Sequence, residues 1–134
     1  MGPLKDIKVL EFSGIGPGPF CGMLLADMGA DVIRINKKGT EGLENKFDIH
    51  NRSKRSIAAN LKNKVTIKEI LKLIDQVDVV FEGYRPGVME KLGLGPDICL
   101  ERNPRLVYGR MTGWGQEGPM SNLAGHDINY ISLS

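Results

Sequence analysis

The chain has 134 residues, enough for one hydrophobic core and not two, since a chain of this length buries roughly two-thirds of the surface it exposes when unfolded. Hydrophobic residues at 41%, charged residues at 25% and a net charge of +2 match ordinary soluble globular proteins and give no argument for nucleic acid or a membrane surface as partner. No apolar run approaches the ~18 residues that span a bilayer, and residues 1–6 lack the charged and apolar regions of an export signal, so a cytoplasmic protein is expected.

Residues 7–12 form a short apolar run with β-branched members, followed at once by Gly14-Ile15-Gly16-Pro17-Gly18-Pro19. This reads as a strand ending in a glycine-rich turn. Phe20, Met23, Leu24 and Met28 recur at helical spacing, with Pro19 suited to the first turn and Gly29 placed to end the helix. A second strand is expected over residues 32–35 and a third over 56–61. Residues 36–55 between them are polar and too long for an ordinary connection, so they are either a ligand-covering loop or partly helical.

Ile67, Ile70, Leu71 and Ile74 then trace one helical face, with Thr66 and Glu69 at capping-box spacing. Strands follow over residues 77–81 and 106–111. Strands that alternate with helices or helix-sized gaps pair in parallel through right-handed crossovers, so the fold class is α/β, a Rossmann-like parallel sheet with flanking helices. Residues 128–134 form an apolar pattern that stops without a capping signal, so further sequence is expected to follow in the parent protein. Cys21 and Cys99 lack paired spacing and read as buried free thiols in a reducing compartment, not as a disulfide or zinc site.

A strand, a glycine-rich turn and a helix suggest a dinucleotide site, but two details oppose it. Pro19 stands where the third glycine of G-x-G-x-x-G belongs, and Asn36-Lys37-Lys38 replaces the acid expected after the second strand. Lysines there suit a phosphate-bearing ligand, or are simply solvated on a loop. Glu82-Gly83-Tyr84-Arg85-Pro86-Gly87 follows the fourth strand at the edge where open α/β sheets bind ligands. Tyr84 and Arg85 either pack a flat ring and meet phosphate or merely rim a turn. Residues 112–119 form a glycine-rich loop at the same edge, expected to be mobile, with Trp114 either functional or packing. His126 stands where a new apolar segment begins; near a helix N-terminus the neutral, proton-accepting imidazole is favoured, although a single histidine is by itself more often structural than catalytic.

Several segments in fixed order carry a resemblance: Glu11-Phe12-Ser13-Gly14-Ile15-Gly16-Pro17-Gly18-Pro19, Leu25-Ala26-Asp27-Met28-Gly29-Ala30-Asp31-Val32-Ile33-Arg34, Glu82-Gly83-Tyr84-Arg85-Pro86-Gly87-Val88, Arg110-Met111-Thr112-Gly113-Trp114-Gly115-Gln116 and Ala124-Gly125-His126-Asp127-Ile128-Asn129-Tyr130. Over essentially its whole length the chain resembles the α-methylacyl-CoA racemases of the type III CoA-transferase (CaiB/BaiF) superfamily. In the transferase branch an aromatic residue usually stands at position 126, whereas the racemases carry the His-Asp-Ile-Asn-Tyr sequence found here.

The resemblance implies 1,1-proton transfer at the α-carbon of a 2-methylacyl-CoA thioester through an enolate, with His126 and an aspartate acting on opposite faces. No metal or redox cofactor is implied; coenzyme A enters as part of the substrate. By similarity the CoA moiety is held by Lys37, Ala59, Asn60, Leu61, Lys62, Gly83, Tyr84, Arg85 and Lys91, with Gly125, Asn129 and Tyr130 completing the site. Position 37 is commonly arginine in the family, so Lys37 lacks the bidentate fork for phosphate. The chemistry needs a base of near-neutral pKa and donors for the enolate oxygen, and the backbone N–H of Asp127 at the helix start is such a donor. The family's catalytic aspartate lies shortly downstream of the His-Asp-Ile-Asn-Tyr motif, beyond Ser134. Residues 1–134 are therefore expected to be a CoA-binding domain truncated at its C-terminus. Family members are interlocked homodimers. The competing readings are a CoA-transferase, which needs a nucleophilic aspartate forming an acyl anhydride, and a module that binds CoA without catalysis.

Overall fold

Alternating β-branched runs and helical stripes produce the expected parallel sheet. In the computed structural model, which describes residues 2–39 and 47–133, five strands are found: β1 (Lys8–Phe12), β2 (Asp31–Lys37), β3 (Arg55–Ala59), β4 (Val79–Glu82) and β5 (Val107–Arg110). All neighbours pair in parallel in the order β3-β2-β1-β4-β5. The chain winds outward from β1 in one direction and then in the other, so a crevice opens above the carboxyl ends of β1 and β4.

Successive residues of β1 feed opposite faces, as the two-residue period requires. Leu10 and Phe12 join Ile35 and Val80 on one side, packed with Ile70 and Ile74 of helix α2 (Lys64–Ile74) and with Met89, Leu94 and Cys99. Val9 joins Val32 and Phe81 on the other, under Ala26 of helix α1 (Pro17–Asp27). Fully buried side chains such as Ile74 and Leu94 each contribute roughly 1.5–3 kcal/mol of transfer free energy.

Helix α1 starts three residues earlier than expected, with Pro17 at its first position and Gly16, at φ +67°, before it. It ends as predicted. Gly29, at φ +100°, donates to Ala26 O while Ala30 donates to Leu25 O, the paired bonds of a left-handed C-terminal cap. The predicted cap of α2 is corrected: its N-cap is Asn63, not Thr66. Asn63 is extended, and its side-chain oxygen accepts from Val65 N at 2.8 Å, so the helix is already under way when Thr66 is reached.

The gap between β4 and β5 holds two short helices, α3 (Val88–Leu92) and α4 (Pro96–Arg102), separated by Gly93 in the left-handed region. Of residues 36–55, positions 40–46 lie outside the described residues. The others extend β2 to Lys37 and form a 3-10 turn at Ile49–Asn51, where Asp48 caps the His50 N–H at 3.0 Å. A final helix, α5 (Asp127–Ile131), follows the long loop after β5. Cys99 is a buried free thiol whose burial pushes it up to about 11; Cys21 is free but only half-buried. Among the described residues no helix is long and apolar enough to cross a membrane.

Candidate active site

Three strand ends and the approach to α5 converge on one cleft of about 600 Å³ at the point where the strand order reverses. The turn after β1 and the first turn of α1 supply residues 14–19 as one wall, the β4 loop supplies Gly83, Tyr84 and Arg85, and the other side carries Gly125, His126, Asp127 and Tyr130.

Glu82 closes β4 and is buried. Its Oε2 accepts from the Tyr84 N–H at 2.6 Å, which bends the chain out of the strand and brings the Tyr84 ring edge-on to Phe12 at 6.4 Å. Burial pushes both the Glu82 carboxyl and the Tyr84 phenol up from their ordinary ranges; for Glu82 the Tyr84 N–H and the nearby Arg110 cation act in the opposite sense. Arg110, the register partner of Glu82, donates to Gln116 Oε1 at 2.7 Å and to Glu90 Oε1 on α3, so one guanidinium ties the loop after β5 to the helix after β4. Arg85 in turn donates through Nη1 to the carbonyl of Asn122. The loop of residues 112–119 is thus anchored at Gln116, and Trp114 packs: its ring meets that of Tyr130 edge-on at 5.0 Å.

His126 is the N-cap of α5, with extended backbone, and is exposed at the cleft. Asn129 does not line the cleft; its Oδ1 accepts from the His126 N–H at 2.9 Å, while His126 O accepts from Asn129 N at 2.9 Å. The predicted helix start at His126-Asp127 is therefore correct, and Asp127 occupies its first position. Tyr130 lies across two glycines. A Cβ at Gly113 would overlap its hydroxyl, and one at Gly125 would come within 2.6 Å of it. The two glycines make room for the aromatic ring, which lines the same cleft as His126.

Lys37, Ala59, Asn60, Leu61 and Lys62 form a second group on the same sheet edge, on the β2 and β3 side, whereas Lys91 is on α3 between β4 and β5. Lys37, at the end of β2, is in register with Ala59 at the end of β3, and Lys38 N donates to Ala59 O at 3.0 Å. Asn60 and Lys62 are exposed in the turn into α2, where Asn60 Oδ1 accepts from Lys62 N at 3.1 Å, and Leu61 packs on the core. Lys91 is exposed in the last turn of α3. With strands about 4.8 Å apart, β3 lies about 14 Å from β4 across the sheet, so an extended ligand is needed to touch both groups.

Sequence reasoning missed Glu82 and Arg110 as organisers of the cleft. A charged residue closing an otherwise apolar strand was the available signal. The start of α1 serves a dinucleotide phosphate poorly, since Pro17 and Pro19 take two N–H donors out of its first turn. Among the described residues no group of three or more His, Cys, Asp or Glu side chains could hold a metal ion.

The model of CoA-transferase family III matches residues 4–134. The chain is 48% identical over 131 residues to an alpha-methylacyl-CoA racemase of Mus musculus, covering 98% of this chain and 33% of the relative. It is 47% identical over 133 residues to the alpha-methylacyl-CoA racemase of Homo sapiens, covering 98% and 34%. A crystal structure of a hypothetical protein from Mycobacterium tuberculosis superimposes with a TM-score of 0.87 at 40% identity, covering 95% of this chain and 37% of that one. The chain thus spans about a third of the length of the curated relatives it matches.

Proposed function

The chain belongs to CoA-transferase family III, and on that premise we propose that it is the CoA-binding part of a 2-methylacyl-CoA racemase in which His126 is one of two acid/base residues. The observation that carries this reading is the position of His126 at the start of α5, held by Asn129 and lining one cleft with Tyr84 and Arg85. The names of its racemase relatives point the same way.

In this reading the CoA moiety lies along the carboxyl edge of the sheet, an extended ligand reaching from Lys37 and residues 59–62 to Tyr84 and Arg85. The acyl end enters the cleft. The imidazole of His126 takes the α-proton from one face, and the electron pair moves into the thioester carbonyl to give an enolate. The Asp127 N–H stabilises the enolate oxygen, and a carboxylic acid from sequence downstream of Ser134 returns a proton to the opposite face. By the same resemblance the whole protein is proposed to be an interlocked homodimer.

The test is α-proton exchange of (R)- and (S)-2-methylacyl-CoA in deuterated water, with this chain and with the polypeptide extended to the relatives' length. Exchange by the extended protein, lost at one face in His126→Ala while CoA affinity stays nearly unchanged, is the expected result. Acyl-CoA exchange between two carboxylic acids without α-deuteration would assign a transferase instead. Binding of CoA with neither reaction would leave a binding module.

A further inference from the structure

Behind the cleft wall, on the far side from Tyr84, the sheet holds a buried ion pair. Glu11, the penultimate residue of β1, is 0% exposed, and the Lys54 side chain is 1% exposed; Lys54 Nζ stands 2.5 Å from Glu11 Oε2, and the Arg34 guanidinium stands 3.9 Å from Oε1. The same ammonium donates to the carbonyl of Pro19 at 2.9 Å, and Pro19 lies in the first turn of α1, which lines the cleft. Helix α1 is cut away for the pair. A Cβ at Gly22 would overlap Glu11 Oε2 and come within 2.8 Å of Lys54 Nζ.

Removing two charges from water costs several kcal/mol per ion, and an apolar pair of the same volume is commonly no less stable. The pair is therefore poorly explained by stability alone. Its position offers a better reason. Residues 14–16 precede α1 and residues 17–19 open it; Pro17 and Pro19 have no N–H groups, and apart from the helix's own ladder the backbone bonds here are Ser13 N to Ile35 O and Phe20 N to Gly16 O. Lys54 reaches this stretch from a segment pinned to α1 independently: Arg52 donates to Asp27 at 3.1 and 2.5 Å, and the His50 ring meets Phe20 edge-on at 6.2 Å.

We propose that Lys54 is a positioning residue: balanced by Glu11, it holds the carbonyl of Pro19 and so sets the glycine-rich wall against which the acyl thioester lies beneath His126. This deepens the racemase reading and rests on it for its catalytic consequence, though not for its structural one.

The experiment uses the polypeptide of the relatives' length and the double variant Glu11→Gln/Lys54→Met, which removes both charges of the close pair at nearly constant volume and leaves Arg34 its bond to Asn51. Two quantities are read: amide hydrogen exchange of residues 14–20 without ligand, and kcat and KM for α-deuteration of 2-methylacyl-CoA. The expected result is folded protein, amide exchange in the turn faster by about tenfold while β1 stays protected, and kcat lower by about tenfold with KM within about twofold. Should the double variant not fold, Lys54→Arg, which keeps the charge but alters the reach to Pro19, is read in the same way. Unchanged protection of the turn, or kcat and KM both at wild-type values, overturns the proposal. Absence of α-deuteration in the unsubstituted protein would instead overturn the racemase reading, leaving amide exchange to decide whether Lys54 holds the turn.

Discussion

The side-chain oxygen of Asn129 accepts the backbone N–H of His126 at 2.9 Å, so a residue one helical turn ahead holds the candidate base at the start of α5. That helix has five residues, too few to be stable by itself, and this bond satisfies a donor that the helix leaves open. Asn129→Ala is expected to cost about 0.5–1.5 kcal/mol locally. It should lower kcat for α-deuteration several-fold with CoA affinity unchanged, while Asn129→Asp, which keeps the acceptor, retains most activity. Weakened CoA binding with normal kcat would make Asn129 a ligand contact.

Gly113 lies beneath the Tyr130 hydroxyl with no room for a methyl group. In Gly113→Ala the ring must move, at an overpacking cost of about 1–3 kcal/mol. Tyr130 is the edge-on partner of Trp114, the single tryptophan of the chain, so the displacement should appear as a shift in intrinsic tryptophan emission. Unchanged emission together with unchanged thermal stability would show that the loop absorbs the methyl group elsewhere.

Burial raises the folded-state pKa of Glu82 above its ordinary value of 4.5. A carboxyl raised in this way favours folding while protonated; its contribution is complete below pH 4.5 and is lost as pH climbs through the folded value, because there the native state binds more protons than the unfolded one. Glu82→Gln, which keeps an acceptor for the Tyr84 N–H, should therefore gain stability relative to the parent as pH rises above 4.5. The measurement is Tm for both proteins across the acid-to-neutral range. A constant difference in Tm would refute the assignment.

The elements that were legible in the sequence are those with a local cause. β-branched runs marked the strands, Ile67, Ile70, Leu71 and Ile74 marked the buried face of α2, and Gly29 marked the end of α1. The cap of α2 was less legible because capping-box spacing points to Thr66, and only the extended backbone at Asn63 places the helix start three residues earlier. Glu11 and Lys54 are 43 positions apart, and each alone looks like a surface charge; nothing local indicates that they are buried together. The same holds for Arg110, whose partners Glu90 and Gln116 lie on different connections.

The motifs themselves already indicated a parallel α/β chain with ligand-facing loops after β1, β4 and β5 and a histidine at a helix start, because hydrophobic period, turn chemistry and capping act over a few residues. Which of those loops share a cleft was decided only by the order β3-β2-β1-β4-β5, which brings Tyr84 and Arg85 to His126 and Tyr130 and leaves Lys37 and Ala59 with Asn60 and Lys62 two and three strands from β4. That order is set by the burial of Leu10, Ile35, Val80 and their neighbours against helices from distant parts of the chain, a free energy that no short window of sequence contains.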